Sequence, residues 1–227
     1  MSCRPWPEQS LGRLAESEQT FLALVNLKSG RHFSSLDQGI LGIKAWHQLA
    51  MIYQQQARHD PAKEAWRRVL GFDHSNRAAW RGLLNSLSAA ADKAGLEELS
   101  DGGEVNVPDD IRIIARARVL ADGGDLQAAV AELEQAVLGE KDSLDCLDEL
   151  CRLTFTNDML DAAERWLSEL VRRSPNDPSA WLNLGTVQYR KGKRSSAAAS
   201  ARRSLELRPN YRMSLELLEL AQTLGRG

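Results

Sequence analysis

The fold is decided by SAWLNLGTVQYRKGKRSSAAASARRSLELRPNY, residues Ser179 to Tyr211. With Pro178 as position 1, Trp181, Leu184 and Gly185 stand at 4, 7 and 8, Ala197 and Ala201 at 20 and 24, and Pro209 at 32. At 3.6 residues per turn the first three share a face of one helix and the two alanines share a face of a second. Proline then stops the second helix. Small residues at 8 and 20 let the two helices approach closely, so a bulky side chain at Gly185 or Ala197 is expected to pry them apart.

The same spacing recurs 34 residues earlier, with Leu147, Leu150, Cys151, Ala163, Leu167, Leu170 and Pro175 at 4, 7, 8, 20, 24, 27 and 32. One further step back finds Ile113, Ala117, Ala129, Leu133 and Ala136 at 4, 8, 20, 24 and 27. A second register starts at Ile43, with Trp46, Leu49, Ala50, Tyr53, Ala62, Trp66 and Val69 in the stripe positions and Asp60-Pro61 as a helix start. The unit from residue 77 has a good first helix in Trp80, Leu83, Leu84 and Leu87. Its second, Ala94 to Leu99, is short, and Asp101, Gly102, Gly103 and Pro108 predict a looser joint there.

The ends break the period. Gly12, Arg13, Leu14, Ala15, Phe21 and Leu24 read as the second helix of a unit that lacks its first, which predicts a fragment or a true start upstream of Met1. An insertion from His32 to Gly42, through Phe33, Ser34 and Ser35, is expected to form a short helix in a surface connection. The domain reading is therefore 1–42 as leading half-repeat and connection, 43–109 as two units with the second degenerate, 110–211 as three regular units, and 212–227 as a cap helix. In that cap Leu215, Leu218 and Ala221 are expected to point inward, with Glu216 and Glu219 outward.

A 34-residue period of two helices resembles the tetratricopeptide repeat. The resemblance implies an all-α, right-handed superhelical α-solenoid of antiparallel helix pairs, used as a scaffold that binds peptides or proteins. More narrowly, the half-unit followed by Phe33, Ser35, Asp37, Gly39, Gly42, Lys44, His47, Leu49 and Ala50 is similar to the repeat region behind the catalytic domain of bacterial family-2 glycosyltransferases. That likeness implies a sugar-transferring domain upstream of Met1. Such enzymes hold a metal with an Asp-x-Asp pair, and no two aspartates of this chain are two residues apart.

Composition and motifs offer no chemistry. The 227 residues are 43% hydrophobic and carry a formal charge of -2, ordinary for a globular chain and no demand for nucleic acid or an acidic membrane. Three cysteines without a CxxC pair suit a reducing cytoplasm, and no run is apolar enough for a signal or a membrane span. His32, His47, His59 and His74 are dispersed, and His74 takes the turn position held elsewhere by proline. Asp122-Gly-Gly-Asp125 falls where the inter-helix turn belongs, so it reads as a turn and not as a calcium loop. Cys151, at small position 8, reads as core. No catalytic residue, metal site or cofactor is expected, and the chain reads as no enzyme.

The binding candidates lie at the positions that line a concave face in this fold. They are Lys44, His47, Met51, Gln55, Arg81, Asn85, Ile114, Arg118, Arg152, Phe155, Leu182, Asn183, Thr186, Tyr189 and Arg190. Apolar anchors mixed with arginine and amides suit an extended peptide. The Lys and Asn set with which chaperone-binding members clamp a terminal carboxylate is missing, so no chaperone-tail clamp is expected. A nucleic-acid reading rests on Arg190, Lys191, Lys193, Arg194, Arg202, Arg203 and Arg208, a local cluster without interleaved aromatics, and is disfavoured.

Overall fold

The computed structural model describes residues 7–26, 35–102, 106–139 and 143–223, and among them the secondary structure is entirely helical. The twelve helices are α1 (Pro7–Asn26), α2 (Ser35–Gln55), α3 (His59–Phe72), α4 (Arg77–Ala89), α5 (Lys93–Asp101), α6 (Asp109–Asp122), α7 (Leu126–Leu138), α8 (Leu144–Thr156), α9 (Leu160–Arg173), α10 (Pro178–Arg190), α11 (Arg194–Leu207) and α12 (Arg212–Thr223). They form two compact units, Met1–Val119 and Leu120–Gly227, with the boundary inside α6.

In the first unit each helix from α1 to α5 packs on the next, and α2 also reaches α4. The core is the stripe set by sequence: Leu49, Ala50 and Tyr53 from α2, Ala62, Trp66 and Val69 from α3, and Trp80, Leu83 and Leu87 from α4. Gln54 fastens α2 to α4 by donating to the Gly82 carbonyl at 3.1 Å and the Ser86 hydroxyl at 3.0 Å. The inserted segment is not a separate helix as its composition suggested. From Ser35 onward it is the N-terminal extension of the 21-residue α2, since Gly39 and Gly42 each cost a helix only about 1 kcal/mol. His32, Phe33 and Ser34 lie outside the described residues, as does part of the looser joint expected at Asp101–Pro108.

In the second unit the helices α7 to α12 again pack in sequence, with α10 also touching α12. α11 buries only Ala197, Ala198, Ser200, Ala201 and Ser204, so α10 can lie close to it. A Cβ added to Gly185 would meet the Ala197 carbonyl oxygen and the Ser200 Cβ, both at 3.2 Å, which is the close approach expected from positions 8 and 20. Ser204 donates to the Pro178 carbonyl at 2.7 Å and shares a hydrogen bond with Ser214 of α12. The inward face of α12 is Ser214, Leu217 and Ala221, with Leu218 packed beside them. Leu215, expected inside, is exposed, because it lies about 160° around the helix from Leu217.

One device repeats through both units. Ala57, Ala91, Gly124, Asp158 and Gly192 all stand at position 15 of their periods, and all adopt positive φ, from 53° at Ala91 to 89° at Gly124. The Asp122–Asp125 turn is one of these, with Asp125 accepting the Ala128 amide to cap α7. An L-residue with a Cβ is strained there and glycine is not. Ala91→Gly is expected to stabilise the chain by about 0.5–1 kcal/mol, read as a raised urea midpoint.

The next residue in that turn carries a pH-dependent tie. Asp92 caps α5 through Gly95 and accepts from Lys63 of α3 at 2.6 Å. The Lys63 hydrogen bond first, then the Gly95 amide, hold its carboxyl below the ordinary range. A depressed folded pKa contributes stability that is complete above the unfolded value of about 3.9 and is lost as pH falls through the lower folded value. Asp92→Asn keeps the cap and discards the charge pair, so its urea midpoint should fall less steeply than wild type between about pH 5 and the acid transition.

Candidate functional site

The fifteen groove candidates divide between the two units, and the structure treats them differently. In the first unit Lys44, Met51, Gln55 and Arg81 are exposed. His47 turns its ring edge-on to Trp66, with centroids 4.9 Å apart, and so serves packing. Arg118 is tied to α4, donating to the Leu84 carbonyl, the Ser88 hydroxyl at 2.8 Å and the Asn85 amide oxygen at 3.2 Å. Ile114, one turn before Arg118 on the same face of α6, is buried core. Ile114 is therefore removed from the binding candidates, and Asn85 and Arg118 hold each other.

In the second unit Leu182 is also buried, packed with Ala201 and Leu217, because α12 covers that face of α10. Tyr189 leans on the same core and on the neighbouring cluster of Ala197, Ala198 and Ala221. Thr186 spends its hydroxyl on the Leu182 carbonyl at 2.9 Å. Arg190 pairs with Asp158. Each of these positions is already engaged by a neighbour within the second unit.

Arg152, Phe155 and Asn183 are brought together. They line a cleft of about 230 Å³ with Asp148 and Cys151 of α8, Leu167 and Leu170 of α9, and Asp177, Ser179 and Ala180 at the start of α10. α8 supplies Asp148, Arg152 and Phe155 from one face because they are four and three residues apart. Asp177 is fixed by its role as N-cap, accepting the Ser179 amide at 2.8 Å. Arg152 is held by the side chain of Glu149, which is only 5% exposed, through contacts of 3.0 and 2.5 Å. The Glu149 hydrogen bond is the main reason the guanidinium stays protonated above its ordinary range, with Asp122 and Asp148 adding to it. The Cys151 thiol is pushed far up, first by burial and then by Asp148, so it is no nucleophile at neutral pH. Sequence reasoning missed the α9 floor and Asp177. The Asp-Pro pair at 177 and 178 was a legible cap signal, but not a binding one.

The basic turn that carried the nucleic-acid reading is paired internally. Lys191 donates to Asp161 at 2.6 Å and Glu164 at 2.5 Å, and Lys193 to Glu164 at 2.8 Å. Lys191 and then Lys193 hold the Glu164 carboxyl below its usual range. Among the described residues no group of three potential metal ligands converges, and no helix is long and apolar enough to cross a membrane.

Residues 43–76 and 178–211 match the family model described as Tetratricopeptide repeat. No curated protein matches the chain. Among solved structures, it is similar to the APC/C hetero-tetramer Cut9-Hcn1, at 21% identity over 93% of this chain and 40% of that one, TM-score 0.55. It is also similar to the human IFIT1 dimer with m7Gppp-AAAA, at 14% identity over 94% of this chain and 52% of that one, TM-score 0.53. Against Pseudomonas aeruginosa pilF the identity is 18% over 81% of this chain and 84% of that one, with a TM-score of 0.52. At these identities the likeness establishes the fold, an all-α tetratricopeptide solenoid architecture.

Proposed function

We propose that the chain is a noncatalytic interaction module that binds an extended segment of a partner protein, and that the α8–α10 cleft of the second unit is its principal contact. What supports this is the convergence of an aromatic side chain, Phe155, an unburied amide, Asn183, and a fixed guanidinium, Arg152, over an apolar floor. Phe155 offers an apolar anchor, Asn183 can bond a peptide backbone, and Arg152 is oriented before any partner arrives, so little ordering entropy remains to be lost. A nucleic acid of the kind bound by the IFIT1 neighbour is disfavoured, since Arg190, Lys191 and Lys193 already face carboxylates.

Peptides selected on the full chain from a random library supply the test. Phe155→Ala and Asn183→Ala are each expected to weaken a selected peptide about tenfold, as truncation of a central contact does, while the helical signal is unchanged. Binding that ignores both substitutions would place the partner elsewhere and end this reading.

A second reading makes the chain the repeat appendage of a family-2 glycosyltransferase, on the strength of residues Phe33 to Ala50. The upstream coding frame decides it. A continuous nucleotide-sugar domain with Asp-x-Asp supports it, and a frame without one dismisses it.

A further inference from the structure

We propose that the α8–α10 cleft receives one large apolar side chain of the bound segment, a phenylalanine, leucine or methionine, a step that rests on the peptide-binding reading above. At about 230 Å³ the cleft is smaller than the pockets that enclose whole small molecules, which run from about 300 to 1,000 Å³. An apolar cavity of about 150 Å³ holds a benzene ring, so this cleft has room for a single such side chain. Its apolar lining comes from three helices: Cys151 and Phe155 of α8, Leu167 and Leu170 of α9, and Ala180 of α10. Phe155 is half-buried and the others are buried, so the floor is fixed by the packing of the repeat and stands ready before anything binds. Burial, and then Asp148, keeps the Cys151 thiol protonated, so it adds an apolar wall and not an anion.

The polar groups around this floor are committed within the protein. Arg152 donates through two of its nitrogens to the Glu149 carboxylate, at 3.0 and 2.5 Å. Asp177 accepts the Ser179 amide as the cap of α10. Asp148 is engaged as well, and it adds to the stabilisation of protonated Arg152. A charged side chain that entered would give up its water and meet groups that already hold partners, so its desolvation would go largely unreturned. A large apolar side chain gives up water favourably as it covers Leu167, Leu170 and the Phe155 ring, and an aromatic one gains an edge-on or offset ring contact besides. The exposed Asn183 carboxamide is left for the main chain of the segment.

The experiment pans random peptides of about 12 residues, long enough to cross one groove extended, on the full chain. The expected consensus holds one fixed Phe, Leu or Met, and replacing it with alanine in a synthetic copy should raise Kd about thirtyfold, the loss of one buried large side chain. On Phe155→Ala, checked for unchanged helicity by circular dichroism, the same replacement should cost about fivefold or less, because the two changes share a contact. Norleucine and lysine carry the same alkyl stem. With one or the other at the fixed position, the norleucine peptide should bind wild type at least about thirtyfold more tightly, a comparison that needs no variant to fold. A Phe155-dependent consensus whose fixed residue is charged, or a lysine peptide that binds as well as its norleucine twin, would overturn this inference and leave the peptide-binding reading standing. So would an alanine replacement that costs as much on Phe155→Ala as on wild type. Enrichment that is insensitive to Phe155→Ala and Asn183→Ala alike would overturn both.

Discussion

Trp80→Ala is expected to be the most damaging truncation in the first unit, costing about 3–5 kcal/mol. Trp80 is 1% exposed, and its indole N–H donates to the His74 carbonyl at 2.8 Å. Removal takes a fully buried indole out of the α4 core and ends that hydrogen bond. The second unit holds an internal control. Trp181 occupies the same position 4 and donates to the Pro175 carbonyl at 2.9 Å, six residues back, but it is only half-buried. Trp181→Ala should therefore cost less, because the transfer and cavity terms scale with the surface removed from water. Urea denaturation of both variants, followed by circular dichroism, measures the difference. Equal losses would mean that the shared hydrogen bond, and not burial, dominates.

Gly82→Ala is the second large effect, although alanine normally improves a helix by about 1 kcal/mol. A Cβ at Gly82 would lie 2.3 Å from Cε2 and 2.6 Å from Cζ2 of Trp66. Trp66 is 2% exposed and has the His47 ring against it, so it cannot swing aside cheaply. Overpacking of this kind costs about 3 kcal/mol, and the net loss should exceed about 2 kcal/mol after the propensity gain. A double variant with Trp66→Leu should recover much of that loss, since the clash is with one ring. Gly185→Ala makes a milder comparison. Its closest encounter is 2.9 Å with the Leu217 methyl, the end of a flexible side chain.

The Gly82 contact also shows how far sequence reading reached. The 34-residue count names the stripes correctly: Leu147, Leu150, Cys151, Ala163 and Leu167 are buried, as their positions require. Such a count fixes which way a side chain points relative to its own helix pair. In the unit from residue 77 the small residue has moved from position 8, where Leu84 sits, to Gly82 at position 6, to fit a tryptophan contributed by the preceding unit. Ile114 and Leu182 failed as groove residues. Leu182 is covered by α12, and Ile114 is buried core on α6, although the count assigns both to the binding face. Arg152 and Glu149 were legible as a pair three residues apart on one helix, whereas the cleft they border also needs α9 and the cap of α10, which no local pattern joins to α8.

Chemical-shift mapping of a library-selected peptide on the isotopically labelled chain tests the central claim most directly. The account predicts that saturable shifts concentrate on Arg152, Phe155, Ser179 and Asn183, with the Asn183 side-chain amide among them. Shifts concentrated instead on the outward faces of α9 and α11, at residues such as Arg165, Arg172 and Arg202, would contradict it.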